Sequence, residues 1–136
     1  MIDATTDGAC SSGVGGWAVL IDGELHAGWL PNTTNNQMEM YAILMAVEHC
    51  PNGVELNIVT DSKLCIGWLS LGWAMRKLPI ALIASSIKEV AELKGIRLRF
   101  TKVKGHSGHR ENHLVDRAAV EQSRIGFNAV LSRATG

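Results

Sequence analysis

Residues 54–62 read VELNIVTDS, and the fold turns on this stretch. Val54, Leu56 and Ile58 alternate with Glu55 and Asn57, a period of two that predicts a strand from Val54 to Thr60. Pro51-Asn52-Gly53 stops what precedes it and turns the chain. Asp61-Ser62 follows at once and suits the cap of a helix running to about Trp73. A strand flanked directly by helices belongs to strand–helix alternation, and that alternation implies parallel pairing.

On the N-terminal side the pattern is different. Met1 to Thr6 suits a strand that ends at a turn signal, Asp7-Gly8. Gly15 to Ile21 reads as a second strand, Asp22-Gly23 as a tight hairpin, and Glu24 to Leu30 as the return strand. Pro31 to Asn36 is a polar loop. From Gln37 to His49 the residues Met38, Tyr41, Ala42, Met45 and Ala46 recur at helical spacing. On the C-terminal side, Pro79 opens a helix that Lys94-Gly95 ends near Leu93. Ile96 to Val103 alternates as a strand, and Glu111 to about Ser123 forms a last helix. The order β-β-β-α-β-α-α-β-α predicts an α/β fold with a five-stranded mixed sheet. Three strands are antiparallel, two are parallel, and helices lie on both faces. One domain over residues 1–124 is expected, with residues 125–136 a C-terminal tail that is either flexible or packed on the body.

Composition narrows the class. With 46% apolar and 19% charged residues, the chain of 136 has material for a core and is not expected to be disordered. Lys plus Arg equals Asp plus Glu at 13 each, so no global basic charge points to nucleic acid, and any such partner must be argued locally. Cys10, Cys50 and Cys65 lack C-x-x-C spacing. An odd count without a visible secretory leader reads as reduced thiols in a cytoplasmic protein. The longest apolar stretch, near LPIALIA, is too short to span a bilayer.

The acids fall at telling places. Asp7 and Asp61 each follow a strand, Glu39 sits in the first turn of the helix before Asp61, and Asp116 lies one or two turns into the last helix. Carboxyl ends of central strands in α/β sheets converge on a crevice. Four acids meeting there would repel one another unless cations neutralised them, and oxygen ligands suit Mg²⁺ or Mn²⁺. Taken singly, each acid has an ordinary reading: a turn for Asp7, a helix-dipole partner for Glu39, a cap for Asp61, a polar surface for Asp116.

Four short motifs in order resemble type 1 ribonuclease H. They are Thr6-Asp7-Gly8-Ala9-Cys10, Thr34-Asn35-Asn36-Gln37-Met38-Glu39, Thr60-Asp61-Ser62, and Val103-Lys104-Gly105-His106-Ser107-Gly108-His109 with Glu111-Asn112 and then Asp116. The resemblance implies the ribonuclease H fold and cleavage of the RNA strand of RNA–DNA hybrids. It further implies two Mg²⁺ ions, replaceable by Mn²⁺, on Asp7, Glu39, Asp61 and Asp116, with 5′-phosphate and 3′-hydroxyl products. His106 would assist proton transfer or product release. Cys10, Ser12, Thr34, Asn35, Asn36, Lys104 and Asn112 would contact the hybrid, and a monomer is expected.

The chain departs from the family at Trp68 to Pro79, where many members carry a basic protrusion. Here the only basic residues are Arg76 and Lys77. Trp68 reads as helix packing. Two other functions share this pattern: a non-catalytic hybrid-binding module and a DNA nuclease of the same fold. The intact acids speak against the first, because binding alone needs no self-repelling cluster. The segments Thr34 to Glu39 and Lys104 to His109 speak against the second.

Overall fold

The computed structural model describes residues 1–104 and 110–135. Five strands form one sheet: β1 (Ile2–Ser11), β2 (Val14–Ile21), β3 (Glu24–Leu30), β4 (Glu55–Thr60) and β5 (Arg97–Lys102). They lie in the order β3-β2-β1-β4-β5. β1 pairs antiparallel with β2 and parallel with β4, so the central strand joins the meander to the alternating half. β4 and β5 are parallel. Helices are α1 (Asn35–His49), α2 (Lys63–Ser70), α3 (Leu78–Lys94) and α4 (Arg110–Thr135).

The sheet is filled differently on its two sides. Ala4, Val19, Ile21, Leu56 and Ile58 point to one face and pack with Met40, Ile43 and Val47 of α1 and Ile80 and Ile87 of α3. Each large aliphatic side chain buried this way contributes roughly 1.5–3 kcal/mol. On the other face Ala18 meets Val115 and Ala119 of α4. Small residues there let α4 lie close: a Cβ on Gly16 would stand 2.0 Å from the Ala119 carbonyl oxygen. A buried bond from Ser123 Oγ to the Val14 carbonyl, 2.7 Å, fixes the crossing.

The structure moves several element ends. β1 does not stop at Asp7-Gly8 but continues to Ser11, because β2 pairs with it through Ser11↔Val14. The turn falls at Ser12-Gly13, where φ is +53° and +78°, as it is positive at Asp22-Gly23. α1 starts two residues before Gln37, with Thr34 as its cap, so Asn35 and Asn36 are helical rather than loop and Glu39 lies beyond the first turn. Ser62, not Asp61, caps α2 by accepting a bond from the Cys65 amide. α2 ends at Ser70, short of Trp73, whose ring folds back over Gly67. α4 runs on through the residues left open as a tail. Gly126 lies against the Trp29 ring, and the Arg133 guanidinium stands 6.0 Å from that ring's centre. No helix among the described residues is long and apolar enough to cross a membrane.

Candidate active site

Pairing between β1 and β4 ends at Thr5↔Val59. Two residues further along the chain come Asp7, still within β1, and Asp61, the residue that follows β4, both at the carboxyl end of the parallel pair. Asp7 lies opposite Ala18 and so faces the α4 side of the sheet. Glu39 comes from α1 on the other side. It reaches Asp7 because Gly8 has no side chain: a Cβ there would stand 2.4 Å from the Glu39 nitrogen and the Met38 carbonyl carbon. The Gly8 amide donates to Glu39 Oε1 at 2.6 Å, and it lies 2.9 Å from Asp7 Oδ1. Carboxylate oxygens of Asp7, Glu39 and Asp61 all lie within 4.8 Å of one another. Asp116, on the second turn of α4, lines the same open cleft of about 390 Å³, as do Asn35, Asn36 and Ser62.

Burial sets the electrostatics. Asp7 is 4% exposed and Glu39 6%. Loss of water, with Asp61 nearby, pushes the Asp7 carboxyl up to about 6, against the lowering effect of its bond with Glu39. Loss of water, then the bond to Asp7 and the charges of Asp7 and Asp61, push Glu39 up to about 10. No described Lys, Arg or His lines the cleft to offset these acids. The donor set therefore fits divalent cations: clustered hard oxygen ligands whose ionised form is unfavourable until a cation arrives.

A carboxyl whose pKa is higher folded than unfolded favours the native state at low pH. That contribution is lost as pH rises from the unfolded value, near 4, through the folded one. For Asp7 the loss spans about pH 4–6 and is on the order of 2 kcal/mol. In EDTA the protein should melt roughly 5–10 °C lower at pH 8 than at pH 5. Mg²⁺ should recover much of the drop, and Asp7→Asn should flatten it. Thermal melts in EDTA that do not differ between the two pH values would overturn this account.

Not every nominated residue joins the cleft. Asn35 and Asn36 are exposed on its wall. Thr34 is engaged as the helix cap, accepting from the Gln37 amide at 3.2 Å. Cys10 is half-buried, its thiol 3.4 Å from the Thr33 carbonyl, in a separate groove against α4. Ser12 is exposed at the hairpin tip, and Lys104 is exposed beyond β5. Asn112 is buried one turn before Asp116 and lines a different cavity. His106 lies outside the described residues. The sequence marks Gly8 as part of a turn signal and of the first motif, and the structure adds that its amide ties the cluster together. A glycine directly after a strand-borne acid is the signal that marks it.

The fold and site together define an α/β domain with a carboxylate cluster where its parallel strands end. The RNase H family profile matches residues 3–124. A ribonuclease H of Prochlorococcus marinus is 40% identical, covering 90% of this chain and 88% of its own length. One from Legionella pneumophila is 37% identical over 87% and 93% of the two chains. Among solved structures, the N-terminal RNase H domain of a Mycobacterium tuberculosis protein, fused to maltose-binding protein, superposes with a TM-score of 0.77. It is 16% identical and covers 96% of this chain and 99% of that one. The RNase H1 of Halobacterium salinarum gives 0.73 at 20% identity, with 89% and 96% covered. The chain belongs to the ribonuclease H family and is a nuclease, a hydrolase.

Proposed function

We propose that the protein is an endoribonuclease that cuts the RNA strand of RNA–DNA hybrids, leaving 5′-phosphate and 3′-hydroxyl ends. The observation that carries this reading is the convergence of Asp7, Glu39, Asp61 and Asp116 beside Asn35 and Asn36. The four acids would hold two divalent ions, Mg²⁺ or Mn²⁺. When bound, these supply activation of the attacking water and neutralisation of charge at the scissile phosphate. Glu39 and Asp7, fixed through the Gly8 amide, keep the ligands in one arrangement on a rigid strand and helix. Asn35 and Asn36 offer amide donors and acceptors to the 2′-hydroxyls that distinguish RNA from DNA. Thr34, Cys10, Ser12, Lys104 and Asn112 would complete the hybrid contacts, and His106 would assist proton transfer or product release. The catalytic unit spans residues 1–124, with 125–135 continuing α4, and acts as a cytoplasmic monomer with free thiols.

The deciding assay incubates the protein with labelled hybrid, duplex DNA and duplex RNA in Mg²⁺, Mn²⁺ or EDTA. Cutting confined to the RNA of the hybrid, and lost in EDTA, is expected. Cutting of duplex DNA would replace this reading with a DNA nuclease of the same fold.

Grip on the hybrid is expected to be weakly electrostatic. Arg76 and Lys77 line a groove with Trp68, Asn35 and Asn36. Each phosphate contact contributes a slope of roughly −0.9 in log affinity against log salt on B-form DNA, so these two residues account for at most about −2. Binding in Ca²⁺ across a salt series should show a shallow slope that Arg76→Ala with Lys77→Ala reduces only modestly. A steep slope that collapses in the double variant would mean that residues 68–79 form a full basic handle.

A further inference from the structure

Trp73 differs from its apolar neighbours on the stretch between α2 and α3. Leu71 and Leu78 are 62% and 68% exposed, whereas the larger Trp73 is 39% exposed. Its ring lies against α2. A Cβ on Gly67, which is buried inside that helix, would overlap the six-membered ring of Trp73. The backbone joins the two residues as well. Gly72, with φ of +73°, turns the chain back after α2, and the Trp73 amide donates to the Gly67 carbonyl at 3.0 Å. Glycine is, after proline, the residue least suited to a helix interior. Locally, then, Gly67 weakens α2; its tertiary effect is to admit the ring. The residues that follow divide by direction. Met75 packs on the main core, while Ala74, Arg76 and Lys77 line one groove with Asn35 and Asn36. Among the described residues neither Arg76 nor Lys77 makes an ion pair. Trp73 and Met75 tie this otherwise exposed segment to the body.

We propose that Trp73, seated in the gap at Gly67, is a positioning residue for hybrid binding: it holds Arg76 and Lys77 in place on the wall of the groove that they share with Asn35 and Asn36. This role rests on the hybrid-cutting function set out above. The physical reason is entropic. A wall that is ordered before binding presents its charges at no further cost. A loose one must be ordered by the ligand, which lowers affinity roughly twofold to tenfold for each side chain immobilised. Two cations line this groove, so how firmly they are held matters more than it would in a longer basic segment. Gly67 and Trp73 are six residues apart, and neither is a groove cation; they act through Arg76 and Lys77 by fixing the chain just before them.

The test separates holding from touching. Gly67→Ala keeps Trp73 and every groove side chain but fills the gap. Trp73 has solvent beside it, so the ring leaves and the helix stays. Trypsin should then cut after Arg76 and Lys77 at least about fivefold faster than in the parent, since cleavage follows the population of the opened segment. Hybrid binding in Ca²⁺ should weaken about fivefold, and in Mg²⁺ the Michaelis constant should rise while the rate at saturating hybrid holds. In the background of Arg76→Ala with Lys77→Ala the same change should cost less than about twofold, because residues that act through one another are not additive. Trp73→Ala should reproduce the loss, and Trp73→Phe, which keeps a flat ring over Gly67, should restore most of the affinity. If Trp73 met the hybrid directly, freeing its ring would leave affinity equal or raise it. That outcome would overturn the proposal, as would equal trypsin rates or a full fivefold loss in the double background. A parent that binds no hybrid would remove the functional reading, and this role with it. If Gly67→Ala does not fold, Trp73→Ala and Trp73→Phe are read by the trypsin and double-background criteria.

Discussion

Asp7→Asn is expected to lower hybrid cleavage by at least about a thousandfold, the scale of losing a preorganised electrostatic group at a reacting centre. The same change should raise the melting temperature of the metal-free protein. The reasoning is electrostatic. Asp7 is 4% exposed, its carboxyl is pushed up to about 6 by burial, and Glu39 and Asp61 lie within 4.8 Å of it. Above that pH its charge is unfavourable in the folded state. Asparagine keeps the shape and an oxygen near the Gly8 amide while removing the charge. Relief on the order of 1–2 kcal/mol corresponds to roughly 3–8 °C. Activity and stability should therefore move in opposite directions, as befits a group held for chemistry rather than for packing. Rates measured at fixed hybrid and Mg²⁺, with melts in EDTA at pH 8, check both halves. Near-normal turnover would remove Asp7 from the catalytic set. A lower melting temperature would mean that the carboxylate supports the fold.

The second large effect is expected from a methyl group. Gly8→Ala places a Cβ 2.4 Å from the Glu39 nitrogen and the Met38 carbonyl carbon and 2.8 Å from Met38 Cβ. Two of these three atoms belong to the backbone of α1, so no side-chain rotation removes the clash. The helix must move away from β1, and Met38, 1% exposed in the core, moves with it. Overpacking of this kind costs about 1–3 kcal/mol. The displacement also carries Glu39 away from Asp7 and breaks the 2.6 Å bond from the Gly8 amide. Activity should fall about a hundredfold or more, because ångström-scale misplacement of a catalytic group is enough for that. Gly13→Ala is the control: it sits in the adjacent turn with nothing within 4 Å of the added Cβ, and its φ of +78° makes its cost one of backbone strain. It should destabilise mildly and leave turnover of the folded protein intact. If Gly8→Ala melts and cuts like the parent, α1 is not held against β1 in the way described.

Much of the fold was legible because its periodicities are clean. The alternation from Val54 to Thr60, the Asp22-Gly23 turn and the helical spacing of Met38 to Ala46 each depend on local chemistry, and all three stand in the structure. The element ends were less legible. Asp7-Gly8 looks like a turn locally, but β2 supplies partners for β1 as far as Ser11, and a glycine that makes a close approach has the same letter as one that makes a turn. Likewise Asp61 and Ser62 are both good caps, and only the geometry of the chain leaving β4 gives the role to Ser62. That left Asp61 for the cluster.

By itself the sequence determined the α/β class and the mixed sheet and singled out four acids as candidates, because patterning and short motifs are properties of neighbouring residues. Whether those acids meet could not be local. Asp7, Glu39, Asp61 and Asp116 are separated by dozens of residues, and their approach depends on sheet order, on the side of the sheet each faces and on how closely α1 and α4 lie. The tertiary structure decided this through two glycines. Gly8 admits α1 and Gly16 admits α4, each at a distance that a single methyl group would forbid. It also decided the electrostatics, because a carboxyl group acquires a raised pKa only when the fold removes its water.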